Sequence, residues 1–312
     1  MKIFVAGATG VIGRRLIPLL VDAGSEVTAV ARTKAKAKQL EKQGATPVSV
    51  DLFDALAVKD AVAGHNTVIN MATSIPTGGR TFLPGAFNEN IRIRTEASRN
   101  LSNAAIATRA QRFVQESFAP AYPDRDDEWI DEDVPLMPAK YVESVLDAEA
   151  AAAAFTKNGG AGVVLRFSFF YGPDSPFTLD MVKSVKRGFA PALGGGDRFM
   201  SSIWHDDAAA AVFASLRVPA GTYNVTDNHP MRRREAFDLL ASALGVKAPR
   251  IPPLWLAKIT GSIGETLGRS HRLSNAKFRQ ASGWVPSVPS VREGWKLVAE
   301  QLKNGPERLA HA

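Results

Sequence analysis

Ile3-Phe4-Val5-Ala6-Gly7-Ala8-Thr9-Gly10-Val11-Ile12-Gly13 is the stretch on which the fold turns. An apolar run, Ile3 to Ala6, leads into glycines at 7, 10 and 13, and an apolar, helix-forming stretch, Val11 to Leu20, follows. This order predicts strand, tight turn, helix. Gly7 lets the chain turn sharply, Gly10 lets the backbone approach a pyrophosphate, and Gly13 lets the helix pack close to the strand. The free N–H groups and the dipole at the helix start then face the phosphates. Thr9, Val11 and Ile12 join the three glycines as expected cofactor contacts. The plainer alternative is a glycine-rich turn with no ligand.

A second strand is expected over residues 26–31, and it ends in Arg32-Thr33-Lys34. A dinucleotide with a free 2′-hydroxyl calls for Asp or Glu at this point, whereas a 2′-phosphate calls for Arg. No carboxylate occurs between Glu26 and Glu41. A guanidinium matches phosphate geometry and stays charged. The expected cofactor is therefore NADP(H), with Arg32 as the main ligand of the 2′-phosphate and Thr33 assisting. Lys36 and Lys38 read as a solvated helix face.

The 312 residues, 45% of them hydrophobic, are enough for a large core. There is no Cys, so disulfides, thiolate catalysis and Cys-ligated metals are excluded. The five histidines, at 65, 205, 229, 271 and 311, show no metal-ligand spacing, and no metal is expected. No leader pattern precedes the first strand. No apolar run approaches the ~18 residues of a membrane span. A cytoplasmic protein without membrane contact is the expectation. The net charge of +7 is uneven: residues 229–312 carry 14 Lys/Arg against 6 Asp/Glu, and residues 1–228 carry 24 against 25. Arg232-Arg233-Arg234 lacks the interleaved aromatics of a nucleic-acid groove, so no nucleic acid is expected. The expected partner is a small molecule; the oligomeric state stays open.

Strand-like and helix-like segments alternate, which argues a doubly wound parallel sheet of Rossmann type covered on both faces. Strands are expected at 2–6, 26–31, 46–50, 67–71, 112–116, 162–167 and 222–225. Helices are expected at 11–23, 34–43, 55–63, 87–108, 140–157, 206–216 and 232–244. Residues 124–133, with seven acids among ten residues, read as a solvated loop. From about residue 170, Gly172-Pro173, Pro176, Pro191 and Gly194-Gly195-Gly196 break the pattern. The expected division is a nucleotide-binding domain of residues 1–168 and 201–228, with a smaller substrate lobe of residues 169–200 and 229–312. Trp255, Trp284 and Trp295 are expected in the core of that lobe.

The order of these pieces resembles the NAD-dependent epimerase/dehydratase family, the extended or atypical branch of the short-chain dehydrogenase/reductases. The likeness is carried by Gly7 to Gly13, by Val48-Ser49-Val50-Asp51-Leu52, and by Val68-Ile69-Asn70-Met71-Ala72-Thr73. Asn90, Leu165-Arg166-Phe167-Ser168-Phe169-Phe170-Tyr171-Gly172-Pro173, Trp204-His205-Asp206-Asp207-Ala208-Ala209 and Gly221-Thr222-Tyr223-Asn224-Val225-Thr226-Asp227 extend it to about residue 245. The resemblance implies that Asp51 and Leu52 approach the adenine and that Asn90 is a structural and relay residue. It also implies that Met71, Ala72, Thr73, Tyr141, Ser168 and Phe170 meet the cofactor.

The catalytic pattern departs from the family, which uses Tyr-x-x-x-Lys with a Ser or Thr. Here the segment is Tyr141-Val142-Glu143-Ser144-Val145, so valine stands at the lysine position. Counting back four from Tyr122 places Phe118 at the Ser/Thr position, with Ser117 one residue off. The family lysine lowers the tyrosine pKa by its charge. Without it, a phenol of pKa ~10 is only about one part in a thousand ionised at pH 7. Lys140, the neighbour of Tyr141, does not replace it. Oxidation by a general base is handicapped, whereas a neutral phenol can still donate a proton to a carbonyl.

The expected catalytic residues are Tyr141 and Ser117. Ser74, Phe118, Tyr171 and His205 are expected at the substrate, and Asp207 as a helix cap. The aromatic residues Phe118, Phe167, Phe169 and Phe170 suit an apolar carbonyl better than a nucleotide sugar. The leading expectation is an NADPH-dependent oxidoreductase reducing a small hydrophobic carbonyl compound. The alternatives are a non-catalytic NADP(H)-binding redox sensor and a sugar-nucleotide epimerase or dehydratase.

Overall fold

The apolar runs of the sequence become seven parallel strands: β1 (Lys2–Ala6), β2 (Glu26–Val30), β3 (Thr46–Val48), β4 (Thr67–Asn70), β5 (Arg112–Phe118), β6 (Ala161–Phe167) and β7 (Gly221–Val225). The computed structural model describes residues 1–304 except 77, 192–194, 254, 256 and 258–259, and for residue 82 the backbone alone. Gly194 and His311 lie outside the described residues. The strand order is β3-β2-β1-β4-β5-β6-β7, and every pairing is parallel. The order reverses between β1 and β4, so a crevice opens at the carboxyl ends of those strands.

Side chains on a strand alternate between faces, and β1 shows why its run is apolar throughout. Ile3 and Val5 enter a core with Leu16, Ile17 and Val212, whereas Phe4 and Ala6 enter another with Leu101, Phe113 and Phe155. The helices over the first face are α1 (Gly13–Asp22) and a later helix of residues 205–214. On that same face α2 (Lys34–Lys42) buries Leu40 at the β2–β3 edge, whereas α3 (Ala55–Val62) lies over the second face. The second face is completed by α4, which runs 88–107 with a π turn over Ile93–Ala97, and by α5 (Val145–Lys157). Each fully buried Leu, Ile or Phe in these layers contributes about 1.5–3 kcal/mol.

Further helices are α6 (Pro176–Lys186), α7 (His205–Ala214), α8 (Arg233–Leu244), α9 (Gly261–Gly268), α10 (Ala276–Ser282) and α11 (Val291–Lys303). Met181, Val185, Phe237, Leu240, Trp295 and Val298, from α6, α8 and α11, build a separate core. Among the described residues no helix is long and apolar enough to cross a membrane.

Three expectations are corrected. The helix expected over 140–157 is divided: Tyr141 sits in a 3₁₀ turn, Lys140–Val142, and α5 starts only at Val145. Ala139, Val142 and Val145 are three apart and all buried in one cluster, which is the period of a 3₁₀ turn rather than an α-helix. The acidic stretch 124–133 is not a free loop. Trp129–Ile130 pairs with Arg272–Leu273, Arg198 holds Asp124 and Asp126, and Arg232 holds Asp127. Acids read as solvated thus meet part of the basic surplus of the last quarter. Finally, Trp284 packs in the sheet core against Phe278, 5.4 Å between centroids, and Trp255 is 60% exposed, so of the three tryptophans Trp295 lies in the α6–α8–α11 core.

Candidate active site

The turn after β1 is built as its glycines require. Gly7 has φ +81°, and a Cβ there would lie 2.3 Å from the Met71 carbonyl carbon. A Cβ on Gly13 would lie 2.2 Å from the Gly7 oxygen and 2.6 Å from Ala8. These two glycines therefore hold the loop against β4 and the helix against the loop. Gly10 differs: it is exposed, and its own Cβ would meet only the Gly7 oxygen, at 3.3 Å. No acidic residue lies in the first turn of α1, and no side chain caps it at Ile12. An open glycine beside an uncapped helix start whose own first turn holds no acid fits the diphosphate of a dinucleotide. Thr9 and Val11, both half-buried, flank it.

A charged brace sits behind this loop. Arg14 and Arg15, in the first turn of α1, both pair with Asp174, and Arg15 also pairs with Asp206 at 2.6 Å. His205 Nδ1 lies 3.3 Å from Asp174. Burial pushes the Asp174 carboxyl up, but the His205 contact and the two guanidinium groups outweigh it and hold it well below the usual range. Burial lowers the His205 pKa, so its ring is neutral in this 1% exposed site. His205, expected at the substrate, is thus packed beneath the loop, where a Cβ on Gly172 would meet its Nδ1 at 2.2 Å. Asp207 does not cap α7 but accepts from Ser287 and Val288 amides at 2.7 and 2.9 Å, tying down the loop before α11.

At the adenosine end, Arg32 leaves β2 exposed, and its Nη1 lies 3.2 Å from Glu89 Oε1. Thr33 Oγ1 accepts from the Lys36 amide at 3.3 Å and so caps α2. Asp51 Oδ1 accepts from the Phe53 amide at 3.0 Å, and the Leu52 carbonyl accepts from Asn100 Nδ2 at 3.0 Å. Beyond β4, the Ala72 amide donates to Asn70 Oδ1 at 3.1 Å and the Ser74 amide to Asn90 Oδ1 at 2.9 Å. Asn90, 2% exposed, thereby fixes the chain that carries Met71, Ala72, Thr73 and Ser74 along the crevice.

At the end of β5 the side chains of Ser117 and Phe118 separate. Ser117 and Phe118 are consecutive strand residues and face opposite ways. Ser117 is fully buried and its Oγ donates to Glu149 Oε1 at 2.6 Å. Glu149 is held by Arg166 through two contacts of 2.8 Å, and Arg166 donates to the Tyr122 hydroxyl at 2.6 Å. That hydroxyl in turn donates to Asn224 Oδ1 at 2.9 Å, and burial pushes its pKa up to about 12. The Ser117 hydroxyl thus joins a buried side-chain network with Glu149, Arg166, Tyr122 and Asn224. Phe118 takes the position beside Tyr141, in one apolar cluster with Ala139, Val142 and the fully buried Val145.

Tyr141 packs edge-on against Phe87, 4.8 Å between centroids, on the side of α9 that carries Thr266. Burial raises its pKa, and neither Thr266 nor the positive charges of Arg94 and Arg269 offset that. A groove of about 710 Å³ opens beside it, walled by Phe87, Ile91, Leu146 and Ile263 and, on the Tyr141 side, by the charged Lys140, Glu143 and Asp147. This volume lies in the range of small-molecule sites. Phe170 and Tyr171 line a second, 40 Å³ cavity. Tyr171 is 2% exposed and its hydroxyl donates to the Ser290 carbonyl at 3.2 Å, whereas Phe170 leans on Phe167 at 5.1 Å. Ser168 turns its hydroxyl to the Val225 carbonyl at 3.4 Å.

Glu89 and Arg94 are among the charged residues that escaped the sequence reading, with Arg14, Arg15, Asp174 and Glu149. Glu89 meets Arg32 only through the packing of α4, and no local pattern announces it. Arg94 is 2% exposed, pairs with Glu116 at 2.8 Å and lies over the Phe118 ring at 6.0 Å. It occupies the π turn, a distortion that often marks functional segments.

Residues 7–170 match the NAD(P)H-binding family. Along 94% of this chain and 99% of its own length, 3-diazoavenalumate denitrifying reductase of a Streptomyces species is 33% identical. A ketoreductase of Stigmatella aurantiaca acting on 4-hydroxy-2-methyl-3-oxo-4-farnesyl-3,4-dihydroquinoline-1-oxide is 28% identical over 86% of this chain and 81% of its own. The solved structure of MoeE5 with UDP-glucuronic acid and NAD superposes with a TM-score of 0.78 at 22% identity, covering 97% of this chain and 99% of that one, a likeness of fold. The chain belongs to the NAD(P)H-binding family of the NAD-dependent epimerase/dehydratase type, and its cofactor is a nicotinamide nucleotide.

Proposed function

We propose that this NAD(P)-dependent oxidoreductase uses NADPH to reduce a small, mainly apolar carbonyl compound, with Tyr141 donating the proton. The observation that carries the reading is the state of Tyr141: a phenol raised above its ordinary pKa, next to Val145 where a lysine would lower it. Such a group is protonated at neutral pH and suits proton donation, the requirement of carbonyl reduction. Epimerases and dehydratases need the tyrosinate as a base, which this environment disfavours. The bound nicotinamide supplies hydride. Gly10 and the α1 start receive the diphosphate, Arg32 the 2′-phosphate, and the groove walled by Phe87, Ile91 and Ile263 favours apolar substrate surface. The reductase names of the relatives support the direction of the reaction. Residues 1–168 and 201–228 hold the nucleotide in this reading, the segments 169–200 and from 229 onward close over the substrate, and the NADPH is drawn from the cytoplasmic pool.

The test is NADPH oxidation followed by absorbance across a panel of aldehydes and ketones. Turnover is expected, with Tyr141→Phe lowering kcat about 10²–10⁴-fold and leaving NADPH affinity within about twofold. Full turnover in Tyr141→Phe contradicts the assignment. Tight NADPH binding with no turnover on any carbonyl points instead to a nucleotide sensor, the reading favoured by the diverted Ser117 and by Val145.

A further inference from the structure

The sequence between Glu26 and Glu41 offers Arg32 and no carboxylate, yet the folded chain supplies one from elsewhere. Glu89, 57 residues further on, stands in the first turn of α4 with Oε1 3.2 Å from Arg32 Nη1. The pair lies at the end of β2, the part of this fold that meets the adenosine ribose, where a carboxylate suits a 2′-hydroxyl and a guanidinium a 2′-phosphate. Both types are present here, carried by two elements and bonded to each other.

We propose that Glu89 sets the nucleotide preference of the groove by competing with the adenosine 2′-phosphate for Arg32; the inference rests on the NADPH reading above. The two side chains are 67% and 55% exposed, and an ion pair so solvated is weak. Arg32 can therefore leave Glu89 for a phosphate dianion, but the abandoned carboxylate then lies close to that dianion and opposes it. A free 2′-hydroxyl makes no such demand and leaves the pair in place. Of the groups close in sequence, Arg92 stacks on Phe53 at 3.7 Å and pairs with Glu96 at 3.0 Å, and Thr33 caps α2. Glu89 thus tempers the selectivity that Arg32 alone would impose.

Calorimetric titration of the full chain with NADPH, NADH and 2′,5′-ADP at low salt tests this without any turnover. Glu89→Gln is expected to bind NADPH and 2′,5′-ADP about three- to tenfold tighter, with NADH unchanged within about twofold or weaker, and the gain should shrink in high salt. NADPH affinity that is unchanged or lower in Glu89→Gln overturns the proposal. Arg32→Asp separates the two levels. If it weakens NADPH and NADH equally, the NADPH reading itself has failed. If it weakens NADPH selectively while Glu89→Gln changes nothing, only the role of Glu89 has failed. Both side chains are exposed, and thermal melts of the variants report that the fold is retained.

Discussion

At the phosphate loop the backbone does the holding, and around Tyr141 the side chains do. Gly7, Gly10 and Gly13 act by lacking a side chain, so neighbouring residues can vary while the diphosphate cradle stays the same. At Tyr141 the outcome depends on which side chain stands at two positions, and here they are Phe118 and Val145. The same sheet thus carries a glycine loop built for close backbone approach and, at Tyr141, a segment that departs from the family pattern. The fold is carried by the first region, and the proposed direction of chemistry rests on the second.

The sharpest way to break the first region is Gly13→Ala. The added Cβ would sit 2.2 Å from the Gly7 oxygen and 2.6 Å from the Ala8 backbone, neither of which is a yielding side chain. A loss of about 3–5 kcal/mol in chemical denaturation is expected, together with loss of nucleotide binding. Native stability and binding in this variant would show that the loop is not packed as described.

The second region has a pH signature in the segment that supports it. His271 is 3% exposed, its Nε2 lies 3.0 Å from the Tyr122 carbonyl, and burial lowers its pKa to about 4. In the unfolded chain a histidine titrates near 6.5. The unfolded state therefore binds the extra proton between these values. The contribution of His271 is complete above about pH 6.5, is lost progressively as pH falls towards 4, and totals about 3 kcal/mol. His271→Gln should flatten the fall in stability over that window, measured by urea denaturation at several pH values. Identical slopes in both proteins would place His271 in water rather than in the core. Gly13→Ala has the larger expected effect and acts on the glycine loop, whereas His271 acts on the packing around Tyr122, whose hydroxyl belongs to the Ser117–Glu149–Arg166 network.

The contrast also explains what could be read in advance. The β1–turn–α1 unit was legible because strand, glycines and helix are adjacent in sequence and each needs only local geometry. All seven strands of the sheet were located; the run of β1 is apolar because it is buried on both faces, whereas β5 and β7 bury Gln115, Glu116, Ser117 and Asn224. The partner of Arg32 was not legible, since Glu89 arrives on α4. Nor was the commitment of Ser117 to Glu149 and Arg166, which come from α5 and β6. The acids of 124–133 looked solvated because their arginines lie 72 to 105 residues away. Tyr141 was located, but the 3₁₀ turn that carries it was hidden by helix-forming residues on both sides of it.

The most direct measurement is a calorimetric titration of the unaltered protein with NADPH and with NADH. The account predicts saturable one-site heat for a pyridine nucleotide, with NADPH the tighter of the two. Absence of heat with both nucleotides would contradict it, however well the sheet order was reproduced.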